Sequence, residues 1–417
     1  MQNRSKLCIV MLAVLLLVLP LLISCGSDEE TPGATVTVIS PKPVEIIIGN
    51  LTDKTGASSN AMGIIDNALE DAVEYFNREN LIPGVDLKVI TYDGEYNPSR
   101  DISGYEWLKE KGADLIWTPV PATPVTLKSR ADSDKMVIFT APASRDALQP
   151  SGYVFSVGSY PQHEAYTLLQ WIADNDPDFP TDRPAKIGGT GWPTPYIQSL
   201  IEGAEEYAKA HSDKYEWAGG YATTGITWNW GYEAEKLKDC DYVIPPTILN
   251  AFVKDYRKAG YEGKIIGMDA HLAFYSMIDD AHLWDELDGS LFLRASRWWN
   301  EEGEIINLTK QLLAENYPNS EEEVMDRGCG YLAIGNAYQV LDIIRNAVAA
   351  VEPENFDSQA LYEAAESYSL IIDGIERYSF GEDKRTAVDY VGVYRLSGAE
   401  KEMIRVDAEW YPIIRSL

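Results

Sequence analysis

An α/β protein built from two doubly wound parallel sheets is the fold the sequence predicts. Short β-branched or apolar runs alternate with helical stretches over most of the chain. Such alternation lays parallel strands side by side and covers both sheet faces with helices. With the N-terminal segment set aside, roughly 370 of the 417 residues remain, enough for two blocks of this kind. No internal repeat is evident.

The chain opens with Arg4 and Lys6 and an apolar run from Leu7 to Ile23, broken by Pro20. A charged start and a short apolar core make a secretory signal peptide over residues 1–24. A spanning helix needs about 20 unbroken apolar residues. Leu22-Ile23-Ser24-Cys25 looks like a lipobox, in which Cys25 takes a diacylglyceryl group and becomes the new N-terminus. More than one acyl chain gives stable anchoring. Residues 25–43, rich in Pro, Ser, Thr and Gly without apolar periodicity, read as a tether with an r.m.s. span of about 25 Å.

Val44–Ile48 is a β-branched strand. Ser58-Ser59 caps the next helix, where Met62, Ile65, Leu69, Ala72, Val73 and Phe76 share a face. Pro83-Gly84 is a turn before the strand Leu87–Thr91. A helix over 102–111, a strand over 113–117, a helix over 123–132 and a strand over 136–139 follow. Further strands are expected at 185–187, 216–219, 242–244, 264–266 and 290–293, with helices at 196–210, 231–237, 248–258 and 273–279. Helices at 304–314, 331–350 and 358–365 give a nearly all-helical stretch, and the tail returns to strands at 388–394 and 403–406.

Open parallel sheets bind ligands beyond the carboxyl ends of their strands. That rule nominates the turns after Ile48, Trp117, Phe139, Ile187, Ile244 and Ile266. Their Gly, Pro, Ser and Thr content is also plain turn chemistry.

The formal charge of −30 argues against nucleic acid and anionic lipid surfaces as partners. Of four cysteines, Cys8 leaves with the signal and Cys25 takes lipid. Cys240 and Cys329 are expected as free thiols. A secreted hydrolase finds little support: there is no G-x-S-x-G elbow and no H-E-x-x-H. His163, His211, His271 and His282 show no metal-ligand spacing, and Asp269-x-His271 is an isolated pair. No metal, cofactor or catalytic residue is expected.

The order of several segments resembles the type I periplasmic binding proteins of the branched-chain amino acid receptor family, over about residues 44–410. The carriers are IIIGNLTDKTGASS with a helix ending in Phe76-Asn77, then Tyr92-Asp93-Gly94 with Asn97-Pro98, TPVPATPVT, FTAPAS, GYLAIGNAYQVLDIIRNAV and SFGEDKRTAVDYVGVYRL. The resemblance implies two lobes joined by three crossing strands, near Val157, Arg297 and Tyr378, that close on a small ligand by hinge motion. One lobe is then 44–156 plus 298–378, the other 157–297 plus 379–417. That division puts Cys240 and Cys329 in different lobes.

The resemblance also implies a set of ligand contacts. Thr123 matches the hydroxyl that takes the ligand carboxylate at a helix N-terminus. Ala143 matches a backbone contact, Asp269 an acidic ammonium anchor, Tyr196 a covering tyrosine and Tyr331 an aromatic pocket residue, with Thr247 and Tyr160 as weaker candidates. Plainer readings stand beside these: a helix cap for Thr123, a solvated turn for Asp269, packing for the tyrosines.

Departures from the family pattern are Arg145, where a small hydroxyl residue is usual, Ser156 in place of a crossing-strand arginine, and the pairs Trp228/Trp230 and Trp298/Trp299. A guanidinium at Arg145 favours a more acidic ligand or points to solvent. The expected function is capture of an amino acid or related small carboxylate by a monomeric, membrane-anchored lipoprotein that serves an ABC importer permease. A ligand sensor for a membrane signalling partner is the alternative.

Overall fold

The computed structural model describes residues 42–417 except 159 and 327. The signal peptide, Cys25 and nearly all of the tether lie outside the described residues. No helix among the described residues is long and apolar enough to cross a membrane.

The first half of the fold runs β1 (Val44–Thr52), α1 (Ser59–Arg78), β2 (Val85–Asp93), α2 (Pro98–Glu110), β3 (Leu115–Thr118), α3 (Thr123–Asp134), β4 (Ile138–Thr140), α4 (Arg145–Leu148) and β5 (Val154–Ser156). The second continues through α5 (Pro161–Asn175), β6 (Ala185–Gly191), α6 (Pro195–Ala210), β7 (Tyr215–Ala222), α7 (Gly231–Lys236), β8 (Tyr242–Ile244), α8 (Asn250–Lys258), β9 (Lys264–Met268), α9 (Asp269–Leu272), α10 (Ser276–Asp280) and β10 (Leu291–Arg294). Then come α11 (Glu304–Asn316), α12 (Glu321–Asp326), a 3₁₀ turn at Tyr331–Ala333, α13 (Ile334–Val351), α14 (Ser358–Glu366), the hairpin β11 (Ser369–Ile372) and β12 (Ile375–Ser379), and finally β13 (Tyr390–Ser397), β14 (Glu402–Arg405) and β15 (Tyr411–Pro412).

The first sheet has the order β2-β1-β3-β4-β5, all parallel. The second repeats it as β7-β6-β8-β9-β10, and β13 and β14 extend it antiparallel from β10. Interior strands β3, β4 and β10 and the end strand β5 are buried at every residue, whereas the edge strands β2 and β7 are partly exposed. A parallel sheet covered on both faces requires near-continuous apolar strands, which is why these runs were visible in sequence. α13 packs on α1 and α14, so the late helices cover the first sheet's side of the molecule.

Most expected elements form, with shifted ends. α2 begins at Pro98, because the Asn97 side chain accepts the Ser99 N–H at 2.9 Å and caps the helix there. Ser58 precedes α1 but does not cap it; its hydroxyl donates to Asp53 Oδ2 at 2.7 Å, and the same carboxylate accepts the Ser58 N–H. Of the stretch expected as a helix at 273–279 only the second half is helical, in α10, with the short α9 ending just before it, and the β11–β12 hairpin follows the late helices. α5 went unanticipated because it is buried on several sides, which erases the one-sided 3.6-residue stripe. It lies so close to α6 that a Cβ on Gly203 would stand 2.7 Å from the Gln162 Cα. Cys240 and Cys329 are both free.

One buried carboxyl marks the seam between β1 and α1. Asp66 Oδ1 accepts from Asn50 Nδ2 at 2.9 Å, while its Oδ2, Asn50 Oδ1 and Thr52 Oγ1 have no hydrogen-bond partner. Burial pushes the Asp66 carboxyl up to about 6, against the hydrogen bond from Asn50. The folded protein therefore holds this proton more tightly than the unfolded chain does. Ionised Asp66 costs stability above pH 6, and the cost fades as pH falls toward 4. Asp66→Asn keeps the acceptor and adds a donor, so it should raise unfolding free energy at pH 7 by about 1–3 kcal/mol. Denaturant titrations should show that gain shrinking between pH 6 and 4; a gain independent of pH would disprove the assignment.

Candidate functional site

A cavity with an empty volume of ≈ 1410 Å³, open solvent at its mouth included, lies between the two sheets' carboxyl ends. Each of the six nominated turns contributes to its wall: Ser58 after β1, Pro119 after β3, Ala141 after β4, Trp192 after β6, Thr247 after β8 and Asp269 after β9. The geometry follows from parallel strands, which deliver all their outgoing turns to one end of the sheet. The start of α13 and Tyr378 of β12 complete the wall.

Tyr196, Asp269 and Thr247 line this cavity. The other expected contacts lie off its wall. Thr123 is buried at the start of α3 beside Asp101, whose carboxyl burial pushes up to about 6. Ala143 is fully buried in the satellite core with Leu127 and Leu148. Arg145 is exposed at the start of α4, the solvent-facing alternative for that guanidinium. Tyr331 is fully buried and packs edge-on against Tyr317, while its hydroxyl donates to Asp71 of α1 at 2.6 Å. Tyr160 donates to Gln162 Oε1 at 2.5 Å. Of the aromatic pairs, Trp230, Trp298 and Trp299 are buried, whereas Trp228 is exposed and meets the cavity residue Trp192 edge-on at 5.1 Å.

Asp269 is not a solitary carboxylate. Its Oδ1 stands 2.7 Å from Arg294 Nη1, and its Oδ2 accepts the Ala295 N–H at 3.1 Å. Arg294 ends β10 and is 1% exposed. Its Nη2 donates to Ser296 Oγ at 2.7 Å, its Nε to the Ser296 carbonyl at 3.3 Å, and its guanidinium lies over the Trp298 ring at 4.7 Å. Cys329 Sγ donates to the Asp269 carbonyl at 3.4 Å, and burial pushes that thiol up to about 12. Burial raises the Asp269 carboxyl, and Arg294 opposes the rise. Beside them the buried Glu164 of α5 accepts the Tyr196 hydroxyl at 3.4 Å.

Sequence reading passed over Arg294, Glu164, Trp117 and Gln339, all on the wall. Arg294 carried a usable signal: a charge directly after the apolar Leu291–Leu293 stands at a strand's carboxyl end. His271, noted beside Asp269, is spent on structure. Its Nδ1 accepts the Met268 N–H at 3.1 Å and its Nε2 donates to the Pro245 carbonyl at 3.2 Å. Burial pushes its ring down to about 4, which keeps it neutral.

A family model described as periplasmic binding protein matches residues 45–401. No curated protein matches the chain at a significant level. Among solved structures, a branched-chain amino acid ABC transporter protein from Thermus thermophilus with bound valine superposes with TM-score 0.74 at 16% identity, covering 89% of this chain and 97% of its own. A fatty acid ABC transporter substrate-binding protein from Thermomonospora curvata gives TM-score 0.74 at 17% identity, covering 88% and 92%. A solute-binding protein from Rhodopseudomonas palustris BisB5 in complex with 3,4-dihydroxybenzoic acid gives 0.66 at 14%, covering 89% and 98%. At such identities the likeness is one of fold.

Removing one partner of the Asp269–Arg294 pair leaves a buried charge uncompensated. Asp269→Ala should therefore lower unfolding free energy by about 2–4 kcal/mol, somewhat less than for a pair with no solvent-facing side. The double variant Asp269→Ala/Arg294→Met should recover more than half of the loss in chemical denaturation. Equal stability of the wild type and the single variant would show that the pair does not hold the wall.

Proposed function

The chain belongs to the periplasmic binding protein family, and from that premise we propose that it is an extracytoplasmic lipoprotein that captures a small solute for an ABC importer. The solute is an amino acid or a related small carboxylate, released to the permease. The single observation that carries this reading is the cavity: both sheets send their outgoing turns to it. Binding between two such halves needs no reacting group, only a wall that encloses the solute and excludes water. Structures of the same fold hold cargo as different as valine and 3,4-dihydroxybenzoic acid, which fits a wall that varies while the frame stays.

The lobes we assign are 44–156 with 298–378 and 157–297 with 379–417, closing by hinge motion about the connections. Those connections are firmly packed. Arg385 lies over the Phe155 ring at 4.6 Å and reaches the Glu366 carboxylate at 3.0 Å, which ties the third connection to β5. Glu301 meets Arg297 at 3.2 Å and Arg405 at 3.0 Å, and Trp410 stacks under Arg405 and Arg377. The anchor reading rests on the lipobox at Cys25 and supplies the tether that keeps a binding protein near its permease.

Thermal unfolding of the purified full-length protein with a panel of amino acids, fatty acids and aromatic acids tests the reading. A true ligand at about 100 times its Kd should add about 2.7 kcal/mol of stability. Absence of any stabilisation, together with no small molecule co-purifying by mass spectrometry, would defeat it. Separately, Cys25→Ala should move the protein from the membrane pellet to the soluble fraction and abolish acyl mass on the mature chain. Retention of that variant in the pellet would place the anchor elsewhere.

A further inference from the structure

The inference drawn here rests on the solute-binding reading and narrows the cargo. An enclosed α-amino acid presents an ammonium and a carboxylate, and each needs a counter-charge or several hydrogen bonds once water is gone. An unpaired buried ion is costly enough to decide selectivity. Among the described residues, the charged side chains on the cavity wall are Glu164, Asp269 and Arg294.

All three are already engaged. Asp269 spends one oxygen on Arg294 and the other on the Ala295 N–H. Arg294 also donates to Ser296 and lies over the Trp298 ring. Glu164 is buried against the Tyr196 hydroxyl. An ammonium taken up by Asp269 would compete with Arg294, whose guanidinium has no access to water to replace the lost partner. The residue position that serves as ammonium anchor in the family resemblance is here the counter-ion of the protein's own arginine.

The rest of the wall is mostly apolar, with Met62, Ile65, Trp192, Ile248, Phe274 and Leu332. Asp269 Oδ1 and Arg294 Nη1 face one another at 2.7 Å as an ion pair without a hydrogen bond, and two further polar atoms stand out in the wall. Trp117 and Gln339 line the cavity, each 1% exposed, and Trp117 Nε1 and Gln339 Oε1 have no hydrogen-bond partner. An indole N–H is a donor only. A buried donor left unpaired is costly, so a solute that brings an acceptor oxygen to it gains affinity.

We propose that the cargo is an apolar or aromatic small molecule with one acceptor oxygen, a carboxylate or a carbonyl, and without an ammonium group. Its body rests on the apolar wall and its oxygen accepts from Trp117 Nε1–H. The Asp269–Arg294 pair acts as a neutral part of the wall and disfavours zwitterions because its two charges already face each other.

Calorimetric titration of the full-length protein with matched probes tests this. The probes are 3-phenylpropanoate, 3-phenylpropanamide and phenylalanine, with 4-methylpentanoate and leucine as the aliphatic pair. Each probe lacking the ammonium should bind at least about tenfold more tightly than its amino acid. The amide arm separates a carbonyl ligand from a carboxylate one. Phenylalanine or leucine binding as tightly as its counterpart overturns the inference and leaves solute binding standing. Binding by none of the five also overturns it, while the broad panel and co-purified molecules judge solute binding separately. Trp117→Phe keeps the ring and removes the donor, so it should weaken the favoured phenyl probe by about tenfold. Unchanged affinity in a folded variant removes Trp117 from the contact, and the probe series on the unaltered protein decides the ligand class whatever that variant does.

Discussion

A guanidinium buried at the end of β10 has to find its counter-charge inside the protein, and the second half of the cleft is arranged around that need. Arg294 takes Asp269 from the turn after β9, Ser296 from the segment after its own strand and the face of Trp298. Asp269 in turn fixes the backbone at Ala295, and the Ala295 carbonyl accepts from Tyr378 in β12 at 2.9 Å. One buried charge thus joins β9, β10 and β12 at the point where the chain passes between the two sheets. Pairing of this kind adds little net stability over an apolar replacement, but it does dictate which side chains face the solute.

The frame around that point comes from parallel-sheet topology. Both sheets carry the same strand order, with the first and third strands adjacent, so both have a switch point where outgoing turns part to opposite faces. Two such ends facing one another enclose a space whose lining is set by a few residues per turn. The frame tolerates wide change in those residues, because the strands behind them are held by burial on both faces rather than by the cleft. A cleft can therefore trade an ion-binding wall for an apolar one with its internal charges paired off, at no cost to the sheets.

The electrostatics of the interior follow the same logic. Buried acids such as Asp66 and Asp101 are pushed up by burial, and buried His271 is pushed down, so each favours its neutral form. The arginines differ. Arg294 and Arg385 recruit carboxylates and aromatic faces at the connections. The chain's strong negative charge lies mainly outside this network and bears on solubility rather than on the cleft.

The sequence by itself determined the fold class, most strands and the six turns that meet at the cavity. Continuous apolar runs such as Leu115–Trp117 and Tyr242–Ile244 can only be satisfied by burial on both faces, and turn position then follows from strand direction. It did not show α5, whose burial on several sides leaves no periodic stripe, nor the late hairpin β11–β12. A few of the candidate site residues were legible in place, and none in partnership. Asp269 and Tyr196 stand on the wall, yet Tyr331 turns to Asp71 and Thr123 is buried away from the wall. Only tertiary structure could decide that Asp269 belongs to Arg294, because an ion pair is settled by which two groups a fold brings within a few ångströms, and residues 25 positions apart carry no local sign of it.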